Sequence, residues 1–220
     1  MLDEADRMLD MGFIHDIKKI IKLLPAKRQT LLFSATFSDD IRTLAKGLLK
    51  SPVEVAVAPP NSTAEPIEQT VCEVQKSQKL GLLLKLLKSL NLPQVLLFSR
   101  TKQGANRLVK QLDKAGFLAA AIHSAKSQGA RTKALADFKS GKVQVLVATD
   151  IASRGIDIEK LPYVINYDLP HVAEDYIHRI GRTGRASQTG HAISLVTDED
   201  AEALKAIEDL IGERIEQREL

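Results

Sequence analysis

Tryptophan is absent, aromatic residues fill 4% of the 220 positions, and Cys72 is the single cysteine. A lone cysteine excludes an internal disulfide and a cysteine-rich zinc site, and it fits a reducing, cytoplasmic setting. An excess of one charge is lacking too: 31 Lys and Arg face 28 Asp and Glu, leaving +3. That margin does not argue for a phosphate-rich partner, because affinity for phosphates depends on how basic residues cluster. Long apolar runs are also missing. Leu80 to Leu92 is broken by Lys85 and Lys88 and is too short to span a bilayer, so it reads as an amphipathic helix and no membrane association is expected. The opening Met1-Leu2-Asp3-Glu4-Ala5-Asp6 is acidic without an apolar core, unlike a signal peptide. No Gly-x-x-x-x-Gly-Lys-Ser/Thr phosphate loop occurs anywhere.

What is present is an alternation of short apolar runs and longer helical ones. Strands are expected at Thr70 to Val74, Val95 to Ser99, Ala119 to Ile122, Val143 to Ala148, Tyr163 to Tyr167 and Ala192 to Val196. Helices are expected at Gln78 to Leu90, Lys102 to Ala115, Ala130 to Phe138, Val172 to Arg179 and Asp198 to Ile211, the last capped by Thr197 with Asp200 three residues on. Continuous apolar strands separated by helices predict an α/β fold, a parallel sheet covered on both faces. Ligands of such sheets sit at the carboxyl ends of the strands, where Ser99-Arg100-Thr101, Thr149-Asp150 and Ser153-Arg154-Gly155 fall.

The first 58 residues read differently, with helices at Phe13 to Leu24 and Asp39 to Leu49 and strands at Thr30 to Ser34 and Val53 to Val57. Two strands do not make a buried parallel sheet. Residues 59–66 carry three prolines and little to bury, as a linker does. The expected organisation is therefore the end of one domain (1–58), a linker (59–66) and a complete domain (67–220).

Arg179, Arg182 and Arg185 lie in His178-Arg179-Ile180-Gly181-Arg182-Thr183-Gly184-Arg185. They read either as surface arginines at a helix end or as phosphate ligands. The interleaved glycines favour the second reading, since they let backbone and guanidinium forks approach phosphate oxygens. Asp3-Glu4-Ala5-Asp6 reads either as a solvated acidic end or as a site holding Mg²⁺ through water. Ser34-Ala35-Thr36 could be a turn or a helix cap.

Together these segments resemble the DEAD-box RNA helicase family. The matches run in order: Asp3 to Asp6, Ser34-Ala35-Thr36, Leu97 to Thr101, Gln128 with Arg131, Ala148 to Ile158, and His178 to Arg185. The text around Ala130 to Phe138 looks most like the bacterial RhlE branch. The resemblance implies a RecA-like carboxy-terminal lobe preceded by a remnant of the first such lobe, with ATP and Mg²⁺ as cofactors. It implies that Asp3 holds Mg²⁺ through water, that Glu4 positions the hydrolytic water, and that Asp157, Arg182 and Arg185 meet the nucleotide, the arginines as fingers on the γ-phosphate. Asp6, Ser34, Thr36, His178 and Arg179 would join the lobes. Arg100, Thr101, Gln128, Arg131, Thr149 and Gly155 would line the RNA, touching backbone with little sequence preference.

Two departures from the family stand out. His123 is followed by Ser124 where the family has glycine, and the phosphate loop with the adenine-reading segment before it is missing. The expectation is a truncated RNA-dependent ATPase and helicase, inactive alone and needing a first lobe or an intact helicase partner. A non-catalytic module binding RNA or protein is the alternative. A sister-group motor is disfavoured by His178-Arg179 and Ser34-Ala35-Thr36.

Overall fold

The computed structural model describes the chain except residues 11, 35–38, 56–66, 91, 93, 151–157, 159–160, 185–188 and 219–220, and the side chains of residues 7 and 10. It separates into two compact units, Met1–Ser62 and Thr63–Leu220.

The second unit is a seven-stranded, wholly parallel sheet. In chain order its elements are β1 (Ile67–Glu73), α4 (Lys79–Ser89), β2 (Val95–Phe98), α5 (Lys102–Lys114), β3 (Ala119–Ile122), α6 (Gln128–Lys139), β4 (Val145–Ala148), β5 (Tyr163–Asn166), α7 (Ala173–Ile180), β6 (Gly190–Val196), a 3-10 turn (Asp198–Asp200), α8 (Ala201–Ile211) and β7 (Glu216–Gln217). Across the sheet the order is β3-β4-β2-β5-β6-β1-β7.

The pleat explains why both faces are covered. Alternate residues of a strand point to opposite sides, so an all-apolar strand feeds two cores. Val95, Leu97, Val145, Val147, Ile165 and Leu195 pack with Leu83 and Leu87 of α4 and Leu108 and Leu112 of α5. Their neighbours Leu96, Phe98, Leu146 and Val164 meet Phe138 of α6, and Val71, Ala192 and Val196 meet Tyr176 and Ile180 of α7 and Ile207 of α8. Each large aliphatic or aromatic side chain removed from water contributes about 1.5–3 kcal/mol. The expected α/β sheet is present, and the Thr197–Asp200 capping box forms, but it opens a 3-10 turn ahead of α8. The two-residue β7 carries no apolar alternation and went unforeseen; both its residues are exposed.

The first unit holds α1 (Ala5–Asp10), α2 (Ile14–Leu23) and α3 (Asp39–Leu48). Two strand expectations need correcting here. Thr30 to Ser34 contributes a single parallel bridge, Leu32 to Leu2, flanked by Leu2 N to Leu31 O and Phe33 N to Leu2 O, each 2.8 Å. Residues 53–55 form no strand, and Val53 and Val55 are 88% and 79% exposed. β-rich sequence becomes strand only when a neighbour supplies the ladder, and no described segment of this unit does so for them. Ala5, Ile17, Ile41 and Leu44 are its buried apolar points among the described residues, while Phe13, Ile20, Leu23, Leu31 and Phe33 stay exposed.

Candidate functional site

Three neighbouring strands, β2, β4 and β3, release their chains at one edge of the second unit. Beyond β2, Thr101 caps α5 by accepting from Gly104 N at 2.9 Å. A Cβ on Gly104 would lie 2.7 Å from Ser99 Oγ and 3.0 Å from Thr101 Oγ1, so glycine lets the helix start this close to the strand end. Arg100 donates through Nη2 to Asp200 Oδ1 at 2.8 Å and through Nε to the Leu169 carbonyl at 3.3 Å.

Beyond β3, His123 is buried and pairs through Nε2 with Asn106 Oδ1 of α5 at 3.1 Å. Burial first, then Lys126 and Lys102, hold its pKa below the ordinary imidazole value. Ser127 caps α6 by accepting from Ala130 N at 3.3 Å. On that first turn Arg131 Nη1 donates to Gln128 Oε1 at 3.2 Å, while Arg131 Nε is buried without a protein partner. Beyond β4, buried Thr149 is held by its N–H on the Ile122 carbonyl at 3.3 Å. Thr101, Gln128, Arg131 and Thr149 thus share one edge, on exits from adjacent strands. Hydroxyls, an amide and a guanidinium there suit phosphate and ribose oxygens.

Arg179 is the most enclosed charge among the described residues of the unit, 1% exposed. Its Nε and Nη2 grip the two Asp150 oxygens at 2.5 and 2.8 Å, and Nη1 donates to Asn166 Oδ1 at 3.1 Å and the Asp168 carbonyl at 2.6 Å. Its guanidinium carbon lies 4.8 Å from the Phe98 ring centre. Asn166 in turn donates to Ser194 Oγ at 3.2 Å. These bonds commit four of its five N–H groups inside the second unit. The ion pair ties α7 to Asp150, the residue after Thr149.

Half-buried Arg182 lies elsewhere. Its carbonyl accepts from Leu161 N at 3.2 Å, beside the chain entering β5, and Thr183 bridges to Leu161. Gly184 has φ +66°, and a Cβ on Gly190 would stand 2.3 Å from Gly184 N and 2.5 Å from Thr183 Oγ1. Two glycines therefore let the Arg182 turn lie flat on the start of β6. His178, half-buried on α7, precedes Arg179.

In the first unit, Asp3 and Glu4 are exposed, and Glu4 N donates to Asp3 Oδ1 at 3.0 Å. Glu4 has φ +51°, a conformation uncommon for a residue with a side chain. Asp6 is buried and its N–H donates to Ser34 Oγ at 3.2 Å, so this pair is brought together. Thr36, Gly155, Asp157 and Arg185 lie outside the described residues, as do Ser153 and Arg154.

Sequence reasoning placed Asp150 at a strand end without foreseeing its ion pair with Arg179, and it missed Asn166, Asp168, Asp200, Lys79 and Gly190 as site-shaping residues. Asn166 carried a signal, a polar amide ending an apolar strand. Lys79 carried none, since a lysine at a helix start looks solvated, yet it is 5% exposed.

Comparison with known proteins places both units. Residues 78–187 match the helicase conserved C-terminal domain, and residues 1–44 match the DEAD/DEAH box helicase domain. The chain is 46% identical over 217 residues to the ATP-dependent RNA helicase RhlB of Pseudomonas aeruginosa, covering 98% of this chain and 55% of that protein. It is 43% identical to CshA of Listeria monocytogenes, covering 98% of this chain and 42% of that one. The chain spans about half the length of these curated relatives. Among solved structures, S. cerevisiae Dbp5 bound to RNA and ADP BeF3 superposes with a TM-score of 0.86 at 35% identity, covering 100% of this chain and 58% of Dbp5. E. coli SrmB bound to the regulator of ribonuclease activity A gives 0.68 at 36%, covering 71% of this chain and 92% of that one. The sheet is the RecA-like fold of a helicase C-terminal domain, and the chain belongs to the DEAD-box RNA helicase family.

Proposed function

We propose that this chain supplies the carboxy-terminal RecA-like lobe of an ATP-dependent RNA helicase, in which RNA-stimulated ATP hydrolysis drives local unwinding of a duplex. The observation that carries this reading is the shared edge of Thr101, Gln128, Arg131 and Thr149, on loops that leave three adjacent strands. Their chemistry favours backbone contacts, and therefore little sequence preference.

For the nucleotide, the residues present fit part of a site. Asp3 is exposed and accepts only from its neighbour's N–H among the hydrogen bonds described, which suits a cation held through water. No cluster of three or more metal-ligating side chains exists among the described residues. ATP with Mg²⁺ would supply the transferable phosphoryl group. Glu4 would orient water, and Arg182, with Arg185, would neutralise charge on that group. A phosphate loop is absent from these 220 residues, so by themselves they are expected to turn over no ATP.

A second reading has one observation in its favour: SrmB, matched almost over its full compared length, is bound to a protein regulator. On that reading the lobe is a non-catalytic module for protein or RNA. Labelled single-stranded RNA titrated into the chain at several salt concentrations separates an RNA-binding lobe from a protein-binding module. Arg131→Gln should weaken binding and lower the salt slope by about 0.7, one phosphate contact on a single strand. An RNA affinity indifferent to Arg131 and Thr149 would favour the protein-binding module.

A further inference from the structure

Two carboxylates and two cations meet where β1, β2, β5 and β6 end, in a cleft beside the RNA edge. Asp168 follows β5, and its Oδ2 accepts both Ser99 Oγ at 3.1 Å and Arg100 N at 3.0 Å. Asp200 closes the 3-10 turn after β6, and its Oδ1 accepts Arg100 Nη2 while its Oδ2 accepts Thr197 N at 3.0 Å and Thr197 Oγ1 at 2.8 Å. Lys79, at the start of α4, sets its ammonium 3.5 Å from Asp168 Oδ1 and 3.7 Å from Asp200 Oδ2, with the Tyr167 ring centre at 5.3 Å. Its side chain is 7% exposed, as is that of Asp200. All four carboxylate oxygens are engaged, by partners from the segments that follow β1, β2 and β6.

We infer that Asp168, Asp200 and Lys79 are positioning residues for the RNA edge, and that Arg100 is the fourth member of their clamp and not an RNA ligand. Arg100 looks like a phosphate ligand in sequence because it neighbours Thr101. In space its backbone is fixed by one carboxylate and its guanidinium by the other. One Asp168 oxygen holds the Ser99 hydroxyl and the Arg100 backbone N–H, and so the angle at which Thr101 caps α5 and faces the edge. Ordinary surface ion pairs contribute little. Here Lys79 and Asp200 are largely removed from water, while the Asp168 and Arg100 side chains keep 26% and 34% exposure. Further hydrogen bonds satisfy the carboxylates, so loss of Arg100 or Lys79 leaves the buried Asp200 charge less well matched. Asp200 shows the balance: burial pushes its carboxyl up, but Thr197, Arg100 and Lys79 together hold it below the ordinary value.

The inference rests on the RNA edge proposed above, and the test separates the two. Labelled single-stranded RNA is titrated into the 220-residue chain across a salt series, for wild type, Arg100→Gln, Asp200→Asn and the double variant, with urea unfolding of each to confirm folding. The clamp predicts that both single variants weaken RNA roughly three- to tenfold, with the wild-type salt slope kept, and that the double variant is no worse than either. Asp200→Asn matters most, because it leaves the Arg100 charge in place. A slope lowered by about 0.7 in Arg100→Gln, with Asp200→Asn binding as well as wild type, would make Arg100 a phosphate ligand and overturn the clamp. If Asp200→Asn fails to fold, Asp168→Asn takes its place, with the same two outcomes. No binding by wild type would overturn the RNA edge itself, and with it the positioning role.

Discussion

Replacing Arg179 by methionine should destabilise the second unit by about 3 kcal/mol, near the lower end for breaking a buried ion pair. The working is local. The substitution keeps the stem that lies along Phe98 but removes four hydrogen bonds, two to Asp150 and one each to Asn166 and the Asp168 carbonyl. The Asn166 amide oxygen and the Asp168 carbonyl then lack their donor. The Asp150 side chain is 20% exposed, so it can turn partly to water, and this keeps the cost from the upper end. Arg179→Lys retains charge but not the fork and should cost about 2 kcal/mol. All three tyrosines lie in the second unit, so tyrosine fluorescence in urea reports that unit alone. With a slope of about 2 kcal/mol/M, the methionine variant should shift the midpoint by roughly 1.5 M. On heating, the loss should be about 6–12 °C. An Arg179 that faced a ligand from the surface would instead cost within about 0.5 kcal/mol. A methionine variant within about 1 kcal/mol of wild type would refute the assignment of Arg179 as an internal anchor.

Other consequences follow from the same geometry. Gly190→Ala should destabilise by about 1–3 kcal/mol, because its Cβ would overlap the Gly184 backbone and the Thr183 hydroxyl; alanine at Gly129, where nothing lies within 4 Å, is the control. His123 has a depressed pKa, so the unfolded chain takes up its proton first and stability should fall as pH drops through the ordinary imidazole value of about 6.5. Chemical denaturation between pH 8 and 5 should show that slope, and His123→Gln should flatten it. Cys72 is buried with its thiol pushed up to about 11, so a disulfide reagent at pH 8 should react only as the unit opens, and fast labelling of the native chain would contradict this.

Much of the second unit was legible because its strands are apolar without interruption and its helices amphipathic. Val95 to Phe98, Ala119 to Ile122 and Tyr163 to Asn166 could be read nearly to the residue. The first unit was less legible. Its apolar runs at 30–34 and 53–57 have the composition of strands, but composition does not supply a partner, and only the Leu2–Leu32 bridge forms among the described residues. Helix α1 was hidden by its acidic residues, which drew attention as ligands and not as a first helical turn. In the site, motif spacing identified the Arg179 to Arg182 segment without distinguishing an enclosed arginine from a half-buried one. That distinction depends on Asp150 and Asn166, from elements far apart in sequence. The charges around Arg100 were illegible for the same reason: Lys79, Asp168 and Asp200 follow different strands and meet only once the sheet is assembled.

The central claim, that this chain is the second lobe of an RNA-driven ATPase, is tested most directly by ATP hydrolysis with and without single-stranded RNA, before and after adding a separately produced first lobe that carries a phosphate loop. The account predicts no turnover by the chain alone, RNA-stimulated turnover with the added lobe, and loss of that turnover in Arg182→Ala. Hydrolysis by the chain alone, or silence with the lobe while RNA still binds, would contradict it.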